Sequence, residues 1–183
     1  MRFIGSKRLL LKNIEYTIIQ NIKDFDKLSV FCDVFSGTSI VAQYFKKKYS
    51  IISNDLLYFS YVIQQTYIET NAVPQFKKMP DHVGDPISYF NKLENKHLAS
   101  GFVTNNFSPS GKDKRMYLSE INAKRIDTIR DTLDKWKLDK LINQNEYFYL
   151  LCSLIESVPF VSNIAGTYGD YLKNWDKRSF KDI

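Results

Sequence analysis

Two aspartates are placed to act on one ligand. Asp33 follows an apolar run, Leu28 to Cys32, and opens the segment Val34-Phe35-Ser36-Gly37-Thr38-Ser39. Asp55 follows a second apolar run, Tyr49 to Ser53, and Asn54. Strand, Asp, small-residue turn, helix is the layout of a nucleotide-type cofactor site in an α/β sheet. Small residues let the backbone approach the ligand closely. Asp55 lies 22 positions after Asp33, near the ~20-residue spacing at which a second acid reaches a ribose hydroxyl. Each aspartate also has a plainer account: Asp33 as a strand-end cap for its turn, and Asn54-Asp55 as a helix cap for residues 56 onward.

The elements that must position these residues are readable from apolar spacing. Leu10, Leu11, Ile14, Ile18 and Ile22 form a stripe at steps of three and four, so residues 6–22 read as a helix with Ser6 as N-cap. Strands over 28–34 and 49–53 and helices over 38–47 and 56–70 complete a βαβα unit with a parallel pair. The first strand reads as buried. From Asn71 to Gly84, prolines and glycine mark a loop, and Asp85-Pro86 opens a short helix to about Asn95. Residues 100–117 read as an irregular basic loop. A helix follows over 118–136, with Ser119 as N-cap and Ile121, Ile126, Ile129, Leu133 and Trp136 facing inward. Another spans 143–158, opened by an Asn143/Glu146 capping box and ended by Pro159. Two strands are too few for a doubly wound sheet, so strands are missing from this reading.

Bulk properties narrow the class. The 183 residues fit one domain, or one with a small appendage, and 44% hydrophobic with 25% charged residues suits a folded core. The net charge of +6 favours a polyanionic partner. No apolar run approaches the ~20 residues of a membrane span. The N-terminus lacks a signal-peptide stretch, so a cytoplasmic location is expected. Cys32 and Cys152 both lie in apolar runs and read as buried reduced thiols. With no Cys-x-x-Cys and only His82 and His97, no metal is expected.

Five segments in order carry a resemblance. They are Phe3-Ile4-Gly5-Ser6-Lys7, Asp33 to Thr38, Asn54-Asp55, Phe107 to Arg130, and Gly166 to Trp175. Together they resemble a Dam-like DNA adenine N6-methyltransferase of the alpha arrangement, of restriction-modification type. The resemblance implies an α/β, partial Rossmann-like S-adenosylmethionine-dependent methyltransferase fold with a mostly helical target-recognition region. It implies a cofactor part over 1–72 and a DNA-binding part over 73–183. It also implies S-adenosylmethionine as cofactor, double-stranded DNA as partner, and a flipped adenine as methyl acceptor. The family's Asp/Asn-Pro-Pro-Tyr/Phe tetrapeptide is absent, because none of the five prolines adjoins another. The chain therefore reads as an N-terminal portion, truncated or split, inactive alone, with the motif supplied by a second polypeptide in the split case. The alternative is a non-catalytic nucleic-acid-binding protein with a vestigial fold.

Under this resemblance the cofactor residues are Lys7, Asp33, Phe35, Ser36, Gly37, Thr38, Asn54 and Asp55. Lys7 would meet the methionine carboxylate or a substrate phosphate, Asp33 the ammonium, and Asp55 the two ribose hydroxyls. Phe35 reads equally as core or as a pocket wall. For DNA the candidates are Lys112, Lys114, Arg115 and Tyr117 in the basic loop, then Tyr168, Lys173 and Arg178. Asn105 or Asn106 would lie near a base edge. A solvated loop and a charged helical face are the duller accounts of the same residues.

Overall fold

The computed structural model describes residues 5–166 and 169–183. These fall into two compact units, Gly5–Val73 and Pro74–Ile183. The chain is a mixture of helices and one small parallel sheet.

In the first unit, β1 (Val30–Asp33) pairs in parallel with β2 (Ser50–Ser53), in register from Val30↔Ser50 to Asp33↔Ser53. Parallel neighbours need a crossover, and α2 (Ile40–Phe45) lies between them in the chain. Its Phe45 is buried and stacks on Phe31 at 4.2 Å between ring centroids. Side chains alternate along a strand, so Val30, Cys32 and Ile52 share the opposite face. That face is open: Val30 is 49% and Ile52 57% exposed. The expectation of a buried first strand is therefore corrected, as is that of a buried Cys32, which is exposed; Cys152 is buried. Parallel sheets are ordinarily covered on both faces.

The N-terminal helix is shorter than its stripe suggested. A tight turn over Arg8–Leu10 precedes α1 (Leu11–Asn21), and Ser6 does not cap it. None of its residues is buried. Its anchors are polar: Glu15 accepts from Tyr44 Oη and forms an ion pair with Lys48 at 3.1 Å. Next, α3 (Tyr58–Gln64) continues through a wider turn over Gln65–Glu69. Lys46 Nζ closes that end by donating to the carbonyls of Tyr67 and Thr70.

The second unit is helical. It contains α4 (Pro86–Asn91), α5 (Phe102–Phe107), α6 (Glu120–Leu138) and α7 (Gln144–Val161). Local chemistry starts three of them. Asp85 accepts from Ser88 N, Ser119 from Asn122 N, and Asn143 and Glu146 form a complete capping box. Ile126, Ile129, Leu133 and Trp136 of α6 join Phe90, Leu150 and Leu154 in the core. Ile121, expected inside, is exposed. Pro159 lies inside α7, two residues before its end, where it forgoes the N–H bond to the carbonyl of Ile155.

Helix α5 corrects the expected irregular loop. Its start is capped from 23 or more residues away. Asp127 Oδ2 accepts from Gly101 N, Thr104 N and Thr104 Oγ1, and Oδ1 from Val103 N, all at 2.7–2.8 Å. Gly101 is required there, since a Cβ would sit 2.9 Å from Asp127 Cγ. Two buried asparagines tie down the C-terminal segment. Asn122 Nδ2 donates to Ser179 O and Lys181 O, and Asn163 Nδ2 to Met116 O and Leu172 O.

Removing the Asp127 acceptor leaves several donors unpaired in a buried place. Asp127→Ala is expected to destabilise this unit by about 3 kcal/mol or more. Urea unfolding followed by tryptophan fluorescence checks this. A loss under about 1 kcal/mol would contradict the capping role.

Candidate functional site

The segments 34–39 and 54–57 leave the same end of the parallel pair. They are stitched into one frame. Ser36 N and Ser36 Oγ both donate to Asn54 O, at 3.0 and 3.1 Å, and Asn54 N donates back to Asp33 O at 2.9 Å. Asn54 Nδ2 reaches Val34 O at 3.1 Å. Gln64 Nε2 of α3 donates to Ser36 Oγ at 2.7 Å, which uses up that buried hydroxyl. The turn needs left-handed backbone at Gly37 (φ +51) and Ser39 (φ +57), which is costless only at glycine.

Asp55 closes the frame. Its Oδ2 accepts from Gly37 N at 2.8 Å and its Oδ1 from Leu57 N at 3.0 Å. These bonds, Leu57 first, hold its carboxyl below the usual range. The expected Asn-Asp helix cap is absent: α3 starts at Tyr58, and its N-cap position is Leu57. Asp55 instead shapes the turn before that helix.

Asp33 is the reverse case. Its Oδ2 is buried and accepts no hydrogen bond. Burial pushes its pKa up, against weaker opposition from the Phe35 and Ala42 backbone and from the charge of Lys7. One acid of the pair is thus saturated and the other has a vacant oxygen. The turn is uncrowded at Gly37, where a Cβ would meet nothing within 4 Å. Phe35 is 85% exposed and Leu56 96%, so Phe35 is not core packing.

Comparison with known proteins gives the family of the chain. Residues 3–183 match the family described as D12 class N6 adenine-specific DNA methyltransferase. The chain belongs to that family. It is 50% identical over 180 residues to the type II methyltransferase M.FokI of Planomicrobium okeanokoites, a match covering 98% of this chain and 28% of that protein. It is 44% identical over 184 residues to the modification methylase StsI of Streptococcus sanguinis, covering 100% and 28%. Against the type II methyltransferase M.NlaIII of Neisseria lactamica it is 35% identical over 187 residues, covering 100% and 52%. The chain thus spans between about a quarter and half of these relatives' lengths. No solved structure matches it.

The basic residues of this methyltransferase-family chain divide by how their charge is used. Lys112, Lys114 and Lys173 are exposed. Lys114 has left-handed backbone, φ +47. Arg115 is committed internally, to Asp113 at 2.9 Å and to the Asn106 carbonyl at 3.4 Å. Arg178 pairs with Asp176 at 3.3 Å and donates to Ile164 O. Tyr117 is half-buried, edge-on to Phe107 and Tyr171. Asn106 Nδ2 bonds Phe102 O, and the Asn105 carbonyl lies against Gly111, where a Cβ would approach it to 2.0 Å. Tyr168 lies outside the described residues. Among those residues no helix is long and apolar enough to cross a membrane, and no group of three His, Cys, Asp or Glu is arranged to hold a metal.

The roles of several supporting residues gave no sequence signal. Gln64, Asp127, Asn122 and Asn163 act over separations that no local pattern spans. The strand-end positions of Asp33 and Asp55 were visible; their different bonding was not.

Asp55→Asn replaces one acceptor oxygen with a donor facing Gly37 N or Leu57 N. The 34–39 turn is expected to open, seen as at least tenfold faster amide exchange at Gly37. In the wild type the sign follows from the lowered pKa. Asp55's contribution is present above its unfolded pKa and fades as pH falls through the lower folded one. Unchanged exchange in the variant would contradict this role.

Proposed function

We propose that this chain supplies the S-adenosylmethionine-binding and target-recognition portion of a site-specific DNA adenine N6-methyltransferase. The observation carrying this reading is the vacant, buried Oδ2 of Asp33 at the end of β1, beside a turn fixed by Asp55, in a chain of this family. In the proposal β1 and β2 are part of a larger Rossmann-like sheet. The helices that flank such a sheet would cover the face bearing Val30, Cys32 and Ile52.

The residues present suit the cofactor. The orphaned Asp33 oxygen fits an ammonium group, whose positive charge would offset the burial cost. Lys7, near enough to act on Asp33 electrostatically, suits a carboxylate. Each Asp55 oxygen already accepts one backbone N–H and retains a second lone pair, which suits a ribose hydroxyl. Ser36, Gly37, Thr38 and Asn54 act through shape and backbone, because Ser36 Oγ and Asn54 Nδ2 are already bonded. Phe35 and its exposed neighbour Leu56 offer apolar surface. When bound, S-adenosylmethionine supplies an electrophilic methyl group. The role of these residues is to hold it and exclude water from around it.

The partner would be double-stranded DNA. Lys112, Lys114 and Lys173 have free charge for phosphates. Arg115, Arg178 and Tyr117 serve by shaping the segments that carry those lysines. The acceptors for the adenine amino group would come from polypeptide outside these 183 residues, continuous with them or separate. By itself the 183-residue polypeptide would bind its ligands without appreciable turnover.

Calorimetry on this polypeptide tests the reading. S-adenosylmethionine is expected to bind, and Asp33→Asn to weaken it at least tenfold, about 1.4 kcal/mol. Absence of binding heat, together with DNA binding of steep salt dependence, would instead favour a nucleic-acid-binding module without methyl transfer.

A further inference from the structure

A second buried oxygen without a partner lies beside Asp33. Among the described residues, neither Asp33 Oδ2 nor Ser53 Oγ has a hydrogen bond. The sheet register sets the two residues side by side, as the last pair of β1 and β2. Paired residues of neighbouring strands stand about 4.8 Å apart and point to the same face. That face is the covered one. Asp33 shares it with Phe31, which stacks on the buried Phe45 of α2.

The two oxygens have complementary needs. A carboxylate oxygen only accepts, whereas a serine hydroxyl has one proton to donate and rotates about χ1 to aim it. A buried carboxyl that ionises must find donors. Backbone N–H groups of Phe35 and Ala42 serve Asp33 from the turn and from α2. Lys7 favours its charged form and Asp55 opposes it. Helix α2 carries no charged side chain. The donor that β2 offers is Ser53. Ser39 and Ser60 also have unbonded buried hydroxyls. Ser39 begins α2, and Ser60 lies on α3, where it acts on Asp55.

We propose that Ser53 is a positioning residue for Asp33: its hydroxyl turns to Asp33 Oδ2 as that carboxyl ionises, and so fixes the carboxylate for the ammonium group of a ligand. Oδ2 has lone pairs enough for both donors. The ligand half of this statement rests on the cofactor reading above; the bond between Ser53 and Asp33 does not.

Carboxyl 13C titration of Asp33 in the ligand-free 183-residue chain tests the bond, and calorimetry with S-adenosylmethionine near the Asp33 midpoint tests its use. Ser53→Ala removes a donor to the charged form, so the Asp33 midpoint is expected to rise by about half a unit or more. S-adenosylmethionine affinity should fall about threefold, the same half unit expressed as a ratio. Ser53→Thr keeps the hydroxyl on a residue suited to strands and is expected to restore both. Ser60→Ala removes a buried hydroxyl beside Asp55 instead, and should leave the Asp33 midpoint in place. The proposal is overturned if Ser53→Ala leaves that midpoint unmoved, if Ser53→Thr shifts it as far as alanine does, or if Ser60→Ala shifts it equally. A wild-type chain that binds no S-adenosylmethionine would sink the cofactor reading, while the titration still decides the bond.

Discussion

The bridge from Asp55 to Gly37 N and Leu57 N is the constraint on which the candidate site rests. It fixes the 34–39 turn against the end of β2, with help from the Ser36–Asn54–Gln64 bonds. It also consumes one acid. Asp33, the register partner of Ser53 across the pair, then has a buried oxygen that nothing in its own unit satisfies. Burying a polar atom without a partner is costly. A fold that keeps one at the end of a strand, beside open space at Gly37, has the makings of a ligand site.

The same unit is incomplete in a second way. One face of the two-stranded sheet is covered through Phe31 and Phe45, while Val30, Cys32 and Ile52 face out. Helix α1 buries none of its residues and is tied to its neighbours through its one acid, Glu15. Parallel sheets rarely stand this bare. The second unit differs: α6 and α7 close a core around Leu133, Leu150 and Trp136. A chain spanning 28% of its M.FokI relative thus contains one finished unit and one with apolar surface to spare.

Local chemistry made much of this legible before any coordinates. The Asn143/Glu146 capping box, the Ser119 cap and the Asp85-Pro86 start are short-range signals, and each stands where it was read. Both strands were legible from their apolar runs, to within two residues. Burial was not, because it depends on what lies opposite. Ile121 and Cys32 are apolar yet exposed, and the α1 stripe is at most half-buried, for lack of a covering partner in their own unit. Helix α5 was invisible because its cap, Asp127, comes from a different helix. At the candidate site the two strand-end acids were apparent, but the division between a saturated Asp55 and a vacant Asp33 needed coordinates.

The central claim concerns that vacancy, and carboxyl 13C titration of Asp33 with and without S-adenosylmethionine tests it most directly. Burial raises the Asp33 pKa, so its proton is held to higher pH in the folded chain than in the unfolded one. That contribution to stability is full below the unfolded pKa and is lost as pH rises through the folded one. An ammonium at the vacant oxygen favours the charged form. The account therefore predicts that ligand lowers the Asp33 midpoint and that affinity rises with pH across it, while Asp55 titrates low throughout. An Asp33 midpoint that ligand leaves unmoved, or that rises on binding, would contradict it.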